Sequence, residues 1–197
     1  LIGSILALVA LGIVMVTSAS LGVAETLKVG DFFFVQRHLF ALLLGGVLAW
    51  VAMNVELKVV ERYQQLALLA CFVLLLLVFI PGLGVRVNGA RRWLNFIVLN
   101  FQAVEAVKLL MVIWMASYLA RRRDEIASEW IPMLKPFFVV GGLVLLLLAQ
   151  PDFGSSALLM AITAGMVFLG GASLARFFTP VVIGVVAFVA IAVLEPY

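Results

Sequence analysis

The sequence contains little charge, one cysteine and one histidine, and each scarcity excludes a class of protein. Only 12% of its 197 residues are charged, about half the share of a soluble domain. The net charge of +3 gives no case for nucleic-acid binding. Cys71 is the only cysteine, so an intrachain disulfide and a thiol-metal site are excluded. The sequence has no metal-ligand spacing, phosphate loop or nucleophile elbow.

Apolar residues are abundant instead: they make up 66% of the chain, and the mean hydropathy is +1.27. A helix needs roughly 20 predominantly apolar residues to cross a hydrocarbon core. We therefore predict an all-α, polytopic membrane helix bundle that forms a single transmembrane domain over residues 1–197. Seven apolar runs predict its helices: Ile2–Ser18, Leu39–Met53, Leu66–Ile80, Val104–Ala120, Phe137–Ala149, Ser155–Leu174 and Val181–Leu194.

The connections between these runs carry most of the charge. Asn54–Gln65 is amphipathic and predicts a segment that lies on the membrane surface. Pro180 is expected to open the last helix. If alternate loops share a side, five basic residues fall on one side and seven on the other, which places the first helix with its N-terminus in the cytoplasm. Arg86, Arg91 and Arg92 then lie on the outer face.

Glu105 and Lys108 are ionisable residues inside an apolar run. They are three residues apart, so they share one helix face about one turn from its start. One interpretation is a mutual ion pair that makes both charges tolerable. The other is a polar cavity, because ionisable residues within a membrane are candidates for functional sites. The two interpretations are compatible.

Arg91, Arg92 and Trp93 form a basic, aromatic cluster just before that run. Arginine and tryptophan are common interfacial anchors. On the outer face, the same residues suit an anionic headgroup such as a lipid pyrophosphate. Asp152 stands in a turn between two helices, where we expect it to cap the second helix. A carboxylate on the arginines' side of the membrane is also a candidate for their site.

Two stretches of this sequence resemble signatures of the SEDS family (shape, elongation, division and sporulation). One is Gly-Ala-Arg-Arg-Trp-Leu followed by Phe-Gln-Ala-Val-Glu-Ala-Val-Lys, and the other is Leu-Ala-Gln-Pro-Asp-Phe-Gly-Ser-Ser. The similarity runs along the whole chain and is closer to the division member than to the elongation member. Ala103 departs from the pattern, because the family usually has proline there.

The resemblance implies a ten-helix glycosyltransferase of the bacterial inner membrane that polymerises lipid II on the outer face at the division septum. Its implied partners are a class B penicillin-binding protein transpeptidase, other division membrane proteins and membrane lipids, without nucleic acid. The family's essential aspartate belongs to a loop expected beyond Tyr197. The chain by itself, which looks cut at both ends, is therefore expected to supply seven of ten helices and to be inactive.

The chemistry of such a reaction assigns roles to the residues above. A carboxylate must accept a proton from the attacking hydroxyl, and cations must hold the departing pyrophosphate. Arg91, Arg92 and Lys108 are the available cations, Glu105 orients Lys108, and Trp93 packs on a sugar ring or the first isoprene units. A divalent cation, Mg²⁺ or Mn²⁺, could share the charge. A lipid II flippase and a scaffold of the division complex remain the alternatives.

Overall fold

The computed structural model describes residues 2–27, 30, 32–87, 90–96 and 99–194. Nine helices and three strands follow one another in this part of the chain: α1 Ile2–Leu27, α2 Phe33–Asn54, α3 Leu57–Arg62, α4 Gln64–Leu77, β1 Gly84–Val87, β2 Ala90–Phe96, β3 Leu99–Gln102, α5 Ala103–Arg121, α6 Arg123–Ser128, α7 Trp130–Ala149, α8 Phe153–Leu169 and α9 Leu174–Leu194. Each predicted apolar run lies largely within a helix, so the predicted helical membrane fold is confirmed.

The chain divides into two compact units, Leu1–Glu56 and Leu57–Tyr197. In the first unit, α1 contacts α2. Most of their described side chains are exposed, including large apolar ones such as Leu6, Leu8 and Leu43. Such surfaces suit lipid, in which the helical backbone satisfies its own polar groups and apolar side chains face outward.

The second unit is a bundle in which α4 packs on α5 and α7, and α8 packs on α5, α7 and α9. The buried face of α5 follows a spacing of three to four residues, as a helix with one core-facing stripe requires. Its members are Ala103, Val104, Val107, Met111, Trp114, Met115, Tyr118 and Leu119. Residues Leu143, Leu147 and Leu159 from α7 and α8 complete the same core.

Four described helices are long and apolar enough to cross a membrane by length and composition. They are Gly3–Thr26, Phe33–Asn54, Ala103–Arg121 and Trp130–Ala149, and the shorter apolar helices are Gln64–Leu77, Phe153–Leu169 and Leu174–Ala190. The amphipathic connection contains α3, whose described residues are mostly exposed. Its position on a membrane surface stays a prediction.

Pro180 lies inside α9 and does not open it, because α9 begins at Leu174. Likewise α7 begins at Trp130, before the predicted Phe137, and it contains Pro136. A proline removes one backbone donor from a helix, and neighbouring groups in a membrane bundle can satisfy the carbonyl that is left over. The predicted helix start at Pro180 was therefore wrong, and the apolar run Phe137–Ala149 covers only the later part of α7.

The strands form an antiparallel sheet in the order β1-β2-β3. The all-α prediction included no strands here. Gly84 lies where the chain leaves α4 for β1, and a side chain at this position would collide with the carbonyl of Val78. Leu94 of β2 packs with Val78 and Ala103, which attaches the sheet to the end of α4 and the start of α5. We call this part of the bundle the sheet end.

Candidate functional site

β2 carries the basic cluster, and its pairing with β1 is irregular at the arginines. The adjacent residues Val85 and Arg86 pair with Trp93 and Arg91, so Arg92 is the extra residue of a β-bulge. Leu94 is 4% exposed and points into the bundle, whereas Arg91, Arg92 and Trp93 are half-buried. We call Arg91, Arg92 and Trp93 the headgroup surface. Arg86 lies in β1, but its side chain is outside the described residues.

Arg92 connects this sheet to the turn between α7 and α8. Its Nη2 donates a hydrogen bond to the carbonyl oxygen of Pro151, which is 59 residues further along the chain. This contact brings together the two stretches on which the sequence analysis based its site. The Nε atoms of Arg91 and Arg92 are buried and make no hydrogen bond among the described residues.

Asp152 caps α8, as predicted. Its Oδ1 accepts a hydrogen bond from the backbone N–H of Ser155 at 3.2 Å, and its Oδ2 accepts one from the Ser155 hydroxyl at 2.8 Å. The residue is 6% exposed. Both oxygens are thus used within the first turn of α8, and capping is the role that the geometry supports. A direct contact between Asp152 and a ligand stays a prediction.

Glu105 and Lys108 form the expected ion pair in the first turns of α5. Lys108 Nζ lies 2.8 Å from Glu105 Oε1 and 2.8 Å from Oε2. The Lys108 side chain is 22% exposed and the Glu105 side chain is 56% exposed. The pair is therefore accessible and does not lie in the buried core. The polar-cavity interpretation and a role in catalysis stay predictions.

The ion pair and the headgroup surface lie at the same end of the bundle. Ala103, which begins α5, packs against Leu94 of β2. Within the described part of the chain, no hydrogen bond or ion pair joins Glu105 or Lys108 to Arg91, Arg92 or Asp152. The Glu105–Lys108 ion pair and the headgroup surface are therefore neighbours that no described hydrogen bond or ion pair connects.

A large apolar groove runs along α7, α8 and α9, away from these polar groups. Its cavity volume is about 430 Å³, and its lining includes Phe137, Gly141, Met160, Gly184 and Phe188. None of the predicted site residues lines it.

Gln150 is the residue at this end that the sequence analysis missed. It is 3% exposed, and its Nε2 donates a 2.9 Å hydrogen bond to the carbonyl oxygen of Leu75. A signal was present in the sequence, because a polar amide at the end of an apolar helix needs a partner when it is buried. The sequence does not identify that partner, which is 75 residues away.

These features define a polytopic membrane helix bundle with a basic, aromatic β-sheet at one end. A comparison with known protein families identifies the family of this membrane protein. The chain belongs to the FtsW/RodA/SpoVE family, described as cell cycle protein, whose model matches residues 1–197. This confirms the resemblance that the two sequence signatures indicated, and it makes the chain part of a multi-pass inner-membrane protein.

Curated relatives carry the name of the division member. The chain is 52% identical over 197 residues to a probable peptidoglycan glycosyltransferase FtsW of Xanthomonas oryzae pv. oryzae, covering 100% of this chain and 40% of the relative. It is 40% identical over 192 residues to the protein with the same name from Pseudomonas fluorescens, covering 98% of this chain and 47% of the relative. The chain thus spans less than half the length of these two curated relatives.

Solved structures with a similar fold come from the elongation member and from a complex. The crystal structure of Thermus thermophilus Rod shape determining protein RodA matches with a TM-score of 0.67 at 24% identity, covering 91% of this chain and 58% of that chain. A structure described as a peptidoglycan synthase complex that coordinates polymerization and crosslinking matches with a TM-score of 0.67 at 26% identity. That match covers 94% of this chain and 55% of the other.

Proposed function

We propose that this chain is part of a peptidoglycan glycosyltransferase that polymerises lipid II on the outer face of the inner membrane during cell division. The observation that carries the proposal is the headgroup surface. It combines two cations with an amphipathic aromatic ring on a sheet that is anchored to the helices. A lipid-linked disaccharide pyrophosphate has the matching features: an anion, a sugar and an apolar chain.

Within this proposal Arg91 binds the pyrophosphate, because it is a half-buried cation of the headgroup surface. Trp93, which is also half-buried, packs on a sugar ring or on the first isoprene units. Arg92 divides its donors between the ligand and the carbonyl of Pro151. Arginine suits this role because its planar guanidinium can hold two phosphate oxygens at once.

Lys108 is the further cation that stabilises charge on the departing pyrophosphate, and Glu105 holds it at 2.8 Å. No described residue is assigned as the acceptor of the proton, because Asp152 is buried and caps α8, and Glu105 is paired with Lys108. A divalent cation, Mg²⁺ or Mn²⁺, stays part of the proposal as a counterion. The described residues include no group of three or more His, Cys, Asp or Glu that could hold it, so no step is assigned to it.

The proposed partners are a class B penicillin-binding protein transpeptidase, other division membrane proteins and membrane lipids, at the division septum. Support comes from relatives named FtsW and from the likeness to a chain of a peptidoglycan synthase complex. A polymerase that works beside a transpeptidase would need membrane helices and a substrate site near the membrane surface. The helix bundle with the headgroup surface at its sheet end is compatible with both requirements.

The direct experiment is polymerisation of lipid II by the full-length protein, purified with and without its cognate transpeptidase. We expect glycan polymer in the presence of the transpeptidase, and a higher lipid II concentration for the half-maximal rate when Arg91 and Arg92 are both replaced by glutamine. Translocation of lipid II across vesicles without polymer would favour the flippase alternative. The absence of both activities in a folded complex that still binds division proteins would favour a scaffold.

A further inference from the structure

We infer that Gln150 is a positioning residue for the headgroup surface, an inference that rests on the function proposed above. Gln150 is the last residue before Pro151, whose carbonyl oxygen accepts the hydrogen bond from Arg92. Its own side chain is almost fully buried and is bonded to α4. The turn between α7 and α8 is therefore bonded both to α4, through Gln150, and to β2, through Pro151.

The partner of Gln150 is a carbonyl that α4 leaves unpaired. In a continuing helix, the N–H of Phe79 would donate to the carbonyl of Leu75. Here the N–H of Phe79 donates to Leu76 and that of Ile80 to Leu77, because the chain tightens where α4 ends. Helix ends leave such carbonyls without partners, and a buried one needs a substitute donor. The Gln150 amide supplies it at 2.9 Å.

The backbone around Gln150 is held independently. Both the N–H of Gln150 and the N–H of Asp152 donate to the carbonyl of Leu147, each at 3.0 Å. Removing the Gln150 amide therefore leaves these bonds in place and releases only the link to α4. The expected change is a shift of the turn relative to α4, without loss of α7 or α8.

A closed ring of contacts transmits this link to the arginines. Gln150 is bonded to Leu75 in α4, and Val78, three residues after Leu75, packs against Leu94 of β2. Arg92, two residues before Leu94, returns to Pro151, which adjoins Gln150. Because the ring is closed, a displaced turn must either break the Arg92–Pro151 contact or pull β2 with it. Either result moves the headgroup surface.

The test compares Gln150→Met with Gln64→Met in the full-length protein. Methionine has a similar shape and lacks the amide donor. Gln64 is a matched control, because it is also a buried glutamine of this bundle, 4% exposed, and it lies at the opposite end of α4 from Leu75. Gln150→Asn is a second variant that keeps an amide but is one methylene too short to reach Leu75.

The first readout is hydrogen–deuterium exchange of the backbone amides of β2, which does not depend on any activity. We expect faster exchange at residues 91–94 in Gln150→Met and Gln150→Asn, and wild-type exchange there in Gln64→Met. Unchanged exchange of β2 in both Gln150 variants would overturn the inference.

The second readout is the lipid II concentration that gives the half-maximal polymerisation rate. We expect it to rise by about 3- to 10-fold in Gln150→Met, the range that the loss of one net hydrogen bond corresponds to, while the maximal rate changes less. The rise should be smaller in an Arg92→Gln background, because that variant has already lost the contact with Pro151.

These readouts separate the inference from the proposed function. Faster exchange of β2 with an unchanged half-maximal concentration would overturn the positioning role, since Gln150 would then serve only stability. If replacing Arg91 and Arg92 left the concentration dependence unchanged, the headgroup surface itself would be refuted. The double arginine variant keeps Gln150, so this outcome would refute the proposed function independently of the inference about Gln150.

Discussion

Asp152 and the pair Glu105–Lys108 differ in what they leave available to a ligand. Both oxygens of Asp152 are bonded to Ser155, and the residue is buried. The Glu105–Lys108 pair is exposed enough for a ligand to reach, with 56% and 22% of the side chains accessible. At the scale of single residues, the accessible pair is the better candidate for contact with substrate, and Asp152 is the better candidate for holding the fold.

Local contacts at this scale were predictable from the sequence, and distant ones were not. The cap by Asp152 and the ion pair of Glu105 with Lys108 each join residues three apart, so helix geometry alone predicts them. The contact of Arg92 with Pro151 joins residues 59 apart and depends on how the sheet is packed. No sequence pattern specifies that distance.

Replacing Lys108 with methionine should abolish polymerisation and leave membrane insertion intact. The substitution removes the cation and leaves Glu105 without its partner, whereas the length of the side chain is retained. Arg122→Met is a matched control, because Arg122 and Glu125 form an ion pair of the same spacing beyond the other end of α5, with a 2.6 Å contact. Polymerisation by Lys108→Met at the rate of the control would contradict the proposed role.

At the scale of elements, the helices were predictable and the sheet was not. The apolar runs indicate helices by composition, and each run corresponds largely to a helix in the structure, four of which are long enough to cross a membrane. The strands are only 4–7 residues long and lie between two apolar runs, Leu66–Ile80 and Val104–Ala120. An apolar stretch such as Leu94–Phe101 is compatible with both a strand and the start of a helix, so its assignment depends on packing.

Tyr118 compensates for the proline within α7. Pro136 has no N–H, so the carbonyl of Pro132 lacks its helical partner. The hydroxyl of Tyr118 in α5 donates to that carbonyl at 2.9 Å, and its ring stacks on Trp114 with centroids 5.5 Å apart. A side chain of one helix thereby completes the backbone hydrogen bonding of another.

Tyr118→Phe should therefore lower the stability of the bundle, by about 1–3 kcal/mol, because it leaves a buried carbonyl unsatisfied. Pro136→Ala restores the missing N–H, so the same tyrosine substitution should cost less in that background. Thermal unfolding of the wild type, the two single variants and the double variant in detergent measures both effects. Equal losses in the two backgrounds would show that Tyr118 does not substitute for the proline's missing donor.

At the scale of the whole molecule, the account requires that the sheet end faces outward. The charge balance of the loops predicts that Arg91 and Asp152 lie on the outer face and Arg122 in the cytoplasm. Within the second unit, the sheet lies next to the start of α5, and Arg122 follows its end, so the two positions lie at opposite ends of a candidate membrane-spanning helix.

Cysteine labelling in a Cys71→Ala background tests this orientation. Leu83→Cys lies in an exposed turn at the sheet end, and Arg122→Cys is exposed at the other end of α5. An impermeant reagent added outside intact cells should label Leu83→Cys and should label Arg122→Cys only after the cells are opened. The reverse pattern would invert the topology and place the headgroup surface in the cytoplasm.

The most direct test of the central claim is the lipid II dependence of polymerisation when Arg91 and Arg92 are both replaced by glutamine. Because these side chains are proposed to bind the pyrophosphate, the concentration that gives the half-maximal rate should rise by at least about tenfold, as expected for the loss of charge-assisted hydrogen bonds. Arg122→Gln, which removes a cation beyond the other end of α5, should leave it unchanged. A double variant with the wild-type concentration dependence would contradict the account and would leave Arg91 and Arg92 as interfacial anchors.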